Sequence, residues 1–537
     1  MAENKGQNYL HGAAILTAGV LIMKILGFLY KMPVANIIGP DGYSMFMQTY
    51  NVYNVFLTLS TAGLPIALAR MISEANAEGR PMQVRSTFTV AWWTFLVIGL
   101  LFSLVMLLFP ETIASRILHN PPAAMSIRTM APSVLLVCLV SAYRGYCQGF
   151  GNMIPTTVGQ VLEVLVKVMV GLALAWLVMR GGRGKPMGSA AAIFGVTAGS
   201  AAALLYMWLY KRRHYPDREL QGEDRPDSAR KIFSRFMRIG IPIALGSSVL
   251  AILNLVDSSL CMGRLQSSAH FDLKTAQVLN GVYGEAQTVF NLPAAIITPL
   301  TISVVPAITA AIVRQEGDKA SRICEDSMRI AAVLAMPMGV GLAVLSEPIM
   351  RVIYHDNHPA GPVLLSVMGA AAFFVCIVLM ENAILQASGK EILPMITMIV
   401  GGVVKVTMNY FLVGDVRINI YGAPVGTLTS YAVMAVMNYV FLCRALGERP
   451  KLRAILLRPL LCSAVMGGCA WGVYGLCMRF LHPGPGGRLH MTLCMAVAIV
   501  TAALVYLVLT VTLRMITKED MQLIPGGEKL ARLLHMR

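Results

Sequence analysis

Fourteen apolar runs, each long enough to cross a bilayer, follow one another along this chain with short polar stretches between them. A hydrocarbon layer about 30 Å thick takes roughly 20 apolar residues of helix. Backbone inside it must satisfy its own hydrogen bonds, so runs of this kind fold as helices. They lie at 12–32, 44–72, 86–109, 125–148, 154–179, 187–211, 233–262, 277–314, 325–354, 360–388, 390–414, 419–446, 453–481 and 489–516. The eighth carries Pro293, Pro299 and Pro306 and is expected to be broken or kinked. Of the 537 residues, 56% are hydrophobic and 13% charged, against about 25% charged in soluble proteins. A soluble enzyme is therefore excluded. The longest polar segment, 211–238, is too short for a separate globular domain. The polar stretch Met1–His11 leads into an integral span, and no cleavable signal peptide is expected.

The net charge of +17 would suggest nucleic acid in a soluble protein, but its placement says otherwise. With both termini and every even-to-odd loop in the cytoplasm, and charges near span ends counted with their loops, 29 Lys and Arg fall inside and 12 outside. Only Lys24, Lys167 and Lys405 are left at mid-span. The basic residues thus orient the chain and meet anionic phospholipids, with no nucleic acid as partner. The ten cysteines sit mostly in apolar runs without Cys-x-x-Cys or metal spacing and read as small core residues.

Landmarks recur at an offset near 238. Gln148-x-x-Gly151, Pro155 and Lys167 answer to Gln386-x-x-Gly389, Pro394 and Lys405, and Pro110 to Pro348. Pro65 and Pro306 sit 241 apart in equivalent helices. A repeat of six spans enters twice from the same side, giving two parallel six-helix lobes about a central cavity, an alternating-access design. The expected fold is all-α, integral to the membrane, with 14 helices. The N-lobe is 1–212, a basic cytoplasmic loop 213–232, the C-lobe 233–446, and two extra helices and a cytoplasmic tail 447–537.

A charge at bilayer depth costs at least about 2.5–3.5 kcal/mol, so each needs a partner or a wet cavity. Glu163 and Lys167 share a helix face at i,i+4 and read as an intramembrane pair. Lys24 has no acid one turn away and suits an anionic substrate. Asp257 is a candidate cation or proton site, and Glu285, Glu381 and Lys405 are further intramembrane charges. Glu381 and Lys405 are candidates to pair with each other or with neighbouring backbone. Span 2 presents Gln48, Tyr50, Asn51, Tyr53 and Asn54, a polar face wasted on lipid but suited to a hydrated cavity. No Walker loop, His-Glu-x-x-His or Gly-x-Ser-x-Gly is present, so transport would draw on an ion or substrate gradient or the membrane potential. No catalytic or metal-ligating set and no cofactor is expected, and the chain is not read as an enzyme.

Lys24-Ile-Leu-Gly-Phe-Leu-Tyr30-Lys31 with Pro33 and Gly39 resembles the first-span signature of the polysaccharide-export flippases. So do Ser60-Thr-Ala-Gly-Leu-Pro65, Arg144-Gly-Tyr-Cys-Gln-Gly149-Phe-Gly-Asn-Met-Ile-Pro155, Asn291-Leu-Pro293 and Ser303-Val-Val-Pro306. The likeness is to the stage V sporulation protein B and Gram-positive MurJ-like branch of the MOP (MATE-like) superfamily. It implies movement of an undecaprenyl-pyrophosphate-linked sugar, lipid II first among them, to the outer leaflet for peptidoglycan synthesis or sporulation. The location would be the bacterial cytoplasmic membrane, with cell-wall synthesis proteins as candidate partners. It places Lys24 on the first cavity cation, and the cavity set becomes Lys24, Lys31, Tyr50, Asn51, Asn54 and Arg264. It sets Asp257, Asn409, Val425 and Thr429 where the family holds sodium, with Na+ or H+ as coupling ion. The second acid of span 11 is missing; Asp415 is nearest. The alternative is a cation-coupled multidrug antiporter, which would not need Lys24.

Overall fold

A computed structural model describes residues 2–215, 222–446, 452–481, 487–513 and 515. Its described residues are helices and connections, without a strand. The helices are α1 (Ala2–Thr61), α2 (Leu64–Ala77), α3 (Pro81–Leu108), α4 (Pro110–Thr112), α5 (Ala124–Gly149), α6 (Ile154–Arg180), α7 (Lys185–His214) and α8 (Ala229–Ser267). Then follow α9 (Leu273–Val313), α10 (Gly317–Val344), α11 (Ser346–Ile353), α12 (Ala360–Ala387), α13 (Ile392–Leu412), α14 (Gly422–Leu446), α15 (Leu452–Leu481) and α16 (Arg488–Thr512).

Among the described residues thirteen stretches are long and apolar enough to span, one fewer than the fourteen expected. The difference lies at the start. Ile25–Ala77 runs 53 residues, roughly 80 Å of helix, more than twice a bilayer core of about 30 Å. It is broken where Gly39 takes φ 72 and ψ 171, a conformation closed to residues with a Cβ. In α9 the three prolines are carried inside one continuous helix.

Contacts divide the chain into two compact units. The first is residues 1–267 and 271–281, the second 268–270 and 282–537. The sequence repeat divides at 212 and 233, so the two criteria part over α8. Its place in the first unit comes from close approach: a Cβ on Gly63 would stand 2.2 Å from the Gly240 carbonyl oxygen. The Phe236 ring also packs 6.0 Å from Phe95.

The repeat has a local backbone counterpart. α5 ends with the Gly151 N–H on the Gln148 carbonyl and the Asn152 N–H on the Cys147 carbonyl. α12 ends with Gly389 on Gln386 and Lys390 on Leu385. Both are Schellman caps, which need a left-handed residue, and the glycines have φ 75 and 72. The left-handed residues His119 and Asn357 stand at the same spacing.

Candidate functional site

Within the first unit, the part of α1 after Gly39 lines up aromatic rings at helical spacing. Phe46 and Tyr50 lie 4.8 Å apart, Tyr50 and Tyr53 6.1 Å. Tyr30, from before the break, reaches Phe46 at 5.9 Å. Its hydroxyl donates to the Ala192 carbonyl of α7 at 2.6 Å. Cations stand on this ladder: Lys31 Nζ is 6.0 Å from the Tyr50 ring centre and Lys167 Nζ 5.6 Å from that of Tyr30. Both distances are within reach of the attraction between a cation and a ring face.

The pair read on α6 is made differently. The Glu163 carboxylate meets Arg144 of α5 at 2.8 Å, both side chains being less than a fifth exposed. It also accepts from Ser200 of α7 at 3.3 Å. Lys167, one turn away, turns to Tyr30 instead. A guanidinium from a facing helix offers two N–H groups in the plane of a carboxylate, which a lysine on the same helix cannot. Three cations, Lys31, Arg144 and Lys167, therefore share one interior with the Glu163 carboxylate and a row of tyrosines. Such a lining can hold a multiply charged anion while its rings and hydroxyls meet a sugar.

The other expected residues divide. Lys24 lies on α1, and its side chain is outside the described residues. Asn51 is half-buried and Asn54 exposed. Gln48 leaves the polar face: it is buried, donates to the Leu118 carbonyl at 3.3 Å and accepts from Asn120 at 2.7 Å. Arg264 is half-buried in the last turn of α8. Asp257 is buried in α8, in the first unit. Asn409 and Thr429 lie in the second, where Asn409 packs against α14: a Cβ on Gly426 would lie 2.0 Å from Asn409 Oδ1. Thr429 donates to its own helix at Val425. Glu381 is buried and hydrogen-bonded with Asn438. Among the described residues no cluster of His, Cys, Asp and Glu could hold a metal. Sequence reasoning missed Arg144 as the partner of Glu163, although it had marked Arg144 within a motif.

Helices of spanning length around a charged, aromatic interior define a membrane transporter, and the fold has solved counterparts. The lipid II flippase MurJ, in an inward closed conformation, matches with TM-score 0.66 at 14% identity, over 93% of this chain and 98% of that one. An inward-facing multidrug resistance MATE family transporter of the MOP superfamily matches with TM-score 0.66 at 13%, over 81% and 98%. Residues 9–312, more than half of the chain, match the family described as polysaccharide biosynthesis protein, and the chain belongs to it. The chain is a multi-pass membrane transporter, not an enzyme. Relatives in Bacillus subtilis (strain 168) extend along nearly its whole length. The uncharacterized membrane protein YabM is 27% identical over 98% of this chain and 96% of its own. Stage V sporulation protein B is 24% identical over 97% and 98%, and lipid II flippase MurJ 24% over 93% and 94%.

Proposed function

We propose that this chain flips an undecaprenyl-pyrophosphate-linked sugar precursor, lipid II, from the inner to the outer leaflet of the bacterial cytoplasmic membrane by alternating access. The observation that carries the reading is the first unit's interior, where Lys31 and Lys167 stand over tyrosine rings and Arg144 pairs with Glu163. A pyrophosphate needs several cations at once, and Arg in particular recognises phosphate bidentately. Lys24 is assigned to the same set. The termini are placed in the cytoplasm on the distribution of basic residues, which also meet anionic phospholipids. The precursor serves wall or spore peptidoglycan, with wall-synthesis proteins as partners. Coupling to Na+ or H+, through Asp257, Asn409 and Thr429, belongs to the same reading.

The second reading is a cation-coupled multidrug antiporter, supported by a TM-score equal to that of the MurJ structure. The share of chain covered favours the first, 93% against 81%. The test is complementation. A host depleted of its lipid II flippase receives this chain, and outer-leaflet lipid II is labelled. Wild type should restore label and growth. Lys31→Ala, at equal expression, should lose most of the label. A well-expressed wild type that restores nothing but exports cationic drugs would establish the antiporter instead.

A further inference from the structure

In the second unit, the end of α12, the start of α13 and the last turn of α14 surround a cavity of about 540 Å³, a size typical of small-ligand sites. Lys390, Glu391, Ile392, Leu393, Phe441 and Arg444 line it. Lys390, Glu391 and Arg444 are exposed, and among the described residues none of the three has a side-chain hydrogen bond or ion pair. Two cations and one acid leave the lining one net positive charge. The chain that follows, Gly447-Glu-Arg-Pro-Lys451, adds another.

Below this charged rim the walls are apolar. On α13, Ile392, Ile396, Ile399 and Val403 are exposed at i, i+4, i+7 and i+11, one face of a helix. On α14, Val440 and Val436 are exposed one and two turns before Arg444. The α13 face runs about 16 Å away from the cavity, close to one leaflet's share of a hydrocarbon core about 30 Å thick. A free phosphate has no use for such a track, whereas a lipid with a phosphate head fills both parts.

The first unit closes the equivalent corner with its own side chains. Asn152 stands 238 positions before Lys390, after the matching left-handed glycine. It donates to the hydroxyls of Tyr210 and Tyr215, at and just past the end of α7, at 3.1 and 3.3 Å. Its side-chain oxygen accepts the Ile154 N–H at 3.2 Å, and the Tyr215 ring stacks on Phe150 at 5.0 Å. In the second unit the asparagine is a lysine, and α14 brings Arg444 to the cavity instead of a tyrosine cluster. Like charges held toward one cavity repel unless an anion joins them. Each Lys or Arg at a membrane surface attracts an anionic headgroup, and Arg takes phosphate bidentately. The single charge of a phosphodiester matches the one net charge of the lining; a pyrophosphate carries more.

We infer that this cavity is a binding site for an anionic glycerophospholipid, with its phosphodiester between Lys390 and Arg444 and an acyl chain along Ile392, Ile396, Ile399 and Val403. The inference deepens the phospholipid contact of the proposed function and rests on that part of it alone. The cargo reading stands on Lys31, Arg144 and Lys167, in the other unit.

The test uses the full chain purified in detergent, with lipid retention read by native mass spectrometry. The probes are phosphatidylglycerol, zwitterionic phosphatidylethanolamine with the same acyl chains, and glycerophosphoglycerol, the same head without chains. Wild type should retain phosphatidylglycerol saturably and prefer it to phosphatidylethanolamine. Lys390→Gln and Arg444→Gln, both at exposed positions where substitution leaves the fold intact, should each weaken retention about fivefold, and the double variant roughly twentyfold. Arg322→Gln, at an exposed cation of α10 outside the cavity lining, should match wild type. The inference is overturned if the two lipids are retained equally or if the double variant retains phosphatidylglycerol as wild type does. It is overturned too if Arg322→Gln loses as much as the cavity variants, which would leave only diffuse surface charge. Glycerophosphoglycerol displacing the lipid at equal concentration would make the occupant a free phosphate head, with the same consequence. Outer-leaflet lipid II labelling in the complementation assay is a separate readout. A failed flippase reading leaves the site standing, and a chain that flips lipid II without retaining phosphatidylglycerol loses the site alone.

Discussion

Arg144 and Glu163 meet from two helices, and their worth is set by what each leaves behind when the other is removed. Truncating one partner of a largely buried pair strands a charge, at about 3 kcal/mol. Arg144→Leu and Glu163→Leu should each lower the thermal midpoint clearly in detergent. The double variant, which strands no charge, should regain most of the loss. On the proposed function transport should not return with it, because a pyrophosphate cargo would still lack the guanidinium. A double variant as unstable as the singles would remove the pairing; one that folds and flips lipid would remove Arg144 from the site. This pair also marks a limit of the sequence. Spacing along one helix is printed in the chain, so Glu163 and Lys167 at i,i+4 were visible as neighbours. Arg144 comes from α5, and no spacing says which face of α5 meets α6. The cation set was legible in its members Lys31 and Lys167, while the ring beneath each one depended on packing.

Most spans were legible because apolar length is enough to define one, but the breaks inside them, between Thr61 and Leu64 and at Leu345, were not. Their caps were legible where chemistry restricts the residue. The Gln-x-x-Gly repeat is a Schellman cap, and Gly389→Ala, forced to φ near 72, should cost about 1 kcal/mol. Less legible was the close approach of α9 to α1, which a glycine permits without announcing it. A Cβ on Gly281 would lie 1.8 Å from the Pro40 carbonyl oxygen, and a backbone atom cannot step aside. Gly281→Ala should cost about 3 kcal/mol. Gly341, with nothing within 4 Å of its would-be Cβ, should tolerate alanine to within about 1 kcal/mol. Equal thermal midpoints for the two would contradict the packing.

The basic segment before α8 is also held as an element. Asp224 accepts the Met82 and Gln83 N–H groups at the start of α3, at 2.9 and 3.0 Å. Gln83 in turn accepts the Asp227 N–H at 2.6 Å. Asp224→Ala removes a helix cap worth about 1 kcal/mol and should speed proteolysis between 211 and 228. The Lys231 ammonium bonded to Asp227 holds that carboxyl below its ordinary 3.8. Folding therefore excludes a proton there. The contribution is present above that range and is lost as pH falls through the lowered value, so cleavage should accelerate in acid. A cleavage rate indifferent to both changes would show that the segment is not latched.

At the scale of the molecule, the repeat accounts for the helices up to α14 and leaves α15 and α16 without counterparts. They dock on the second unit. The Tyr506 hydroxyl donates to the Val333 carbonyl of α10 at 2.7 Å, Cys462 and Met515 pack against Val333, and a Cβ on Gly467 would press on Val340 at 2.7 Å. Lipid tails can cover the apolar face that these helices leave, so hydrophobicity alone does not hold them. The hydrogen bond and the packing do, at about 1 kcal/mol for the former. The buried thiols report on each unit separately: Cys138 and Cys147 in the first, Cys324 and Cys376 in the second. Deleting residues 452–537 should loosen α10 and raise the labelling rate of Cys324 and Cys376 by a membrane-permeant maleimide, with Cys138 and Cys147 unchanged. Acceleration in both units would mean that α15 and α16 stabilise the whole chain. No acceleration in either would mean that α10 keeps its packing without them, and their role would then have to lie in transport, where complementation by the same deletion would read it.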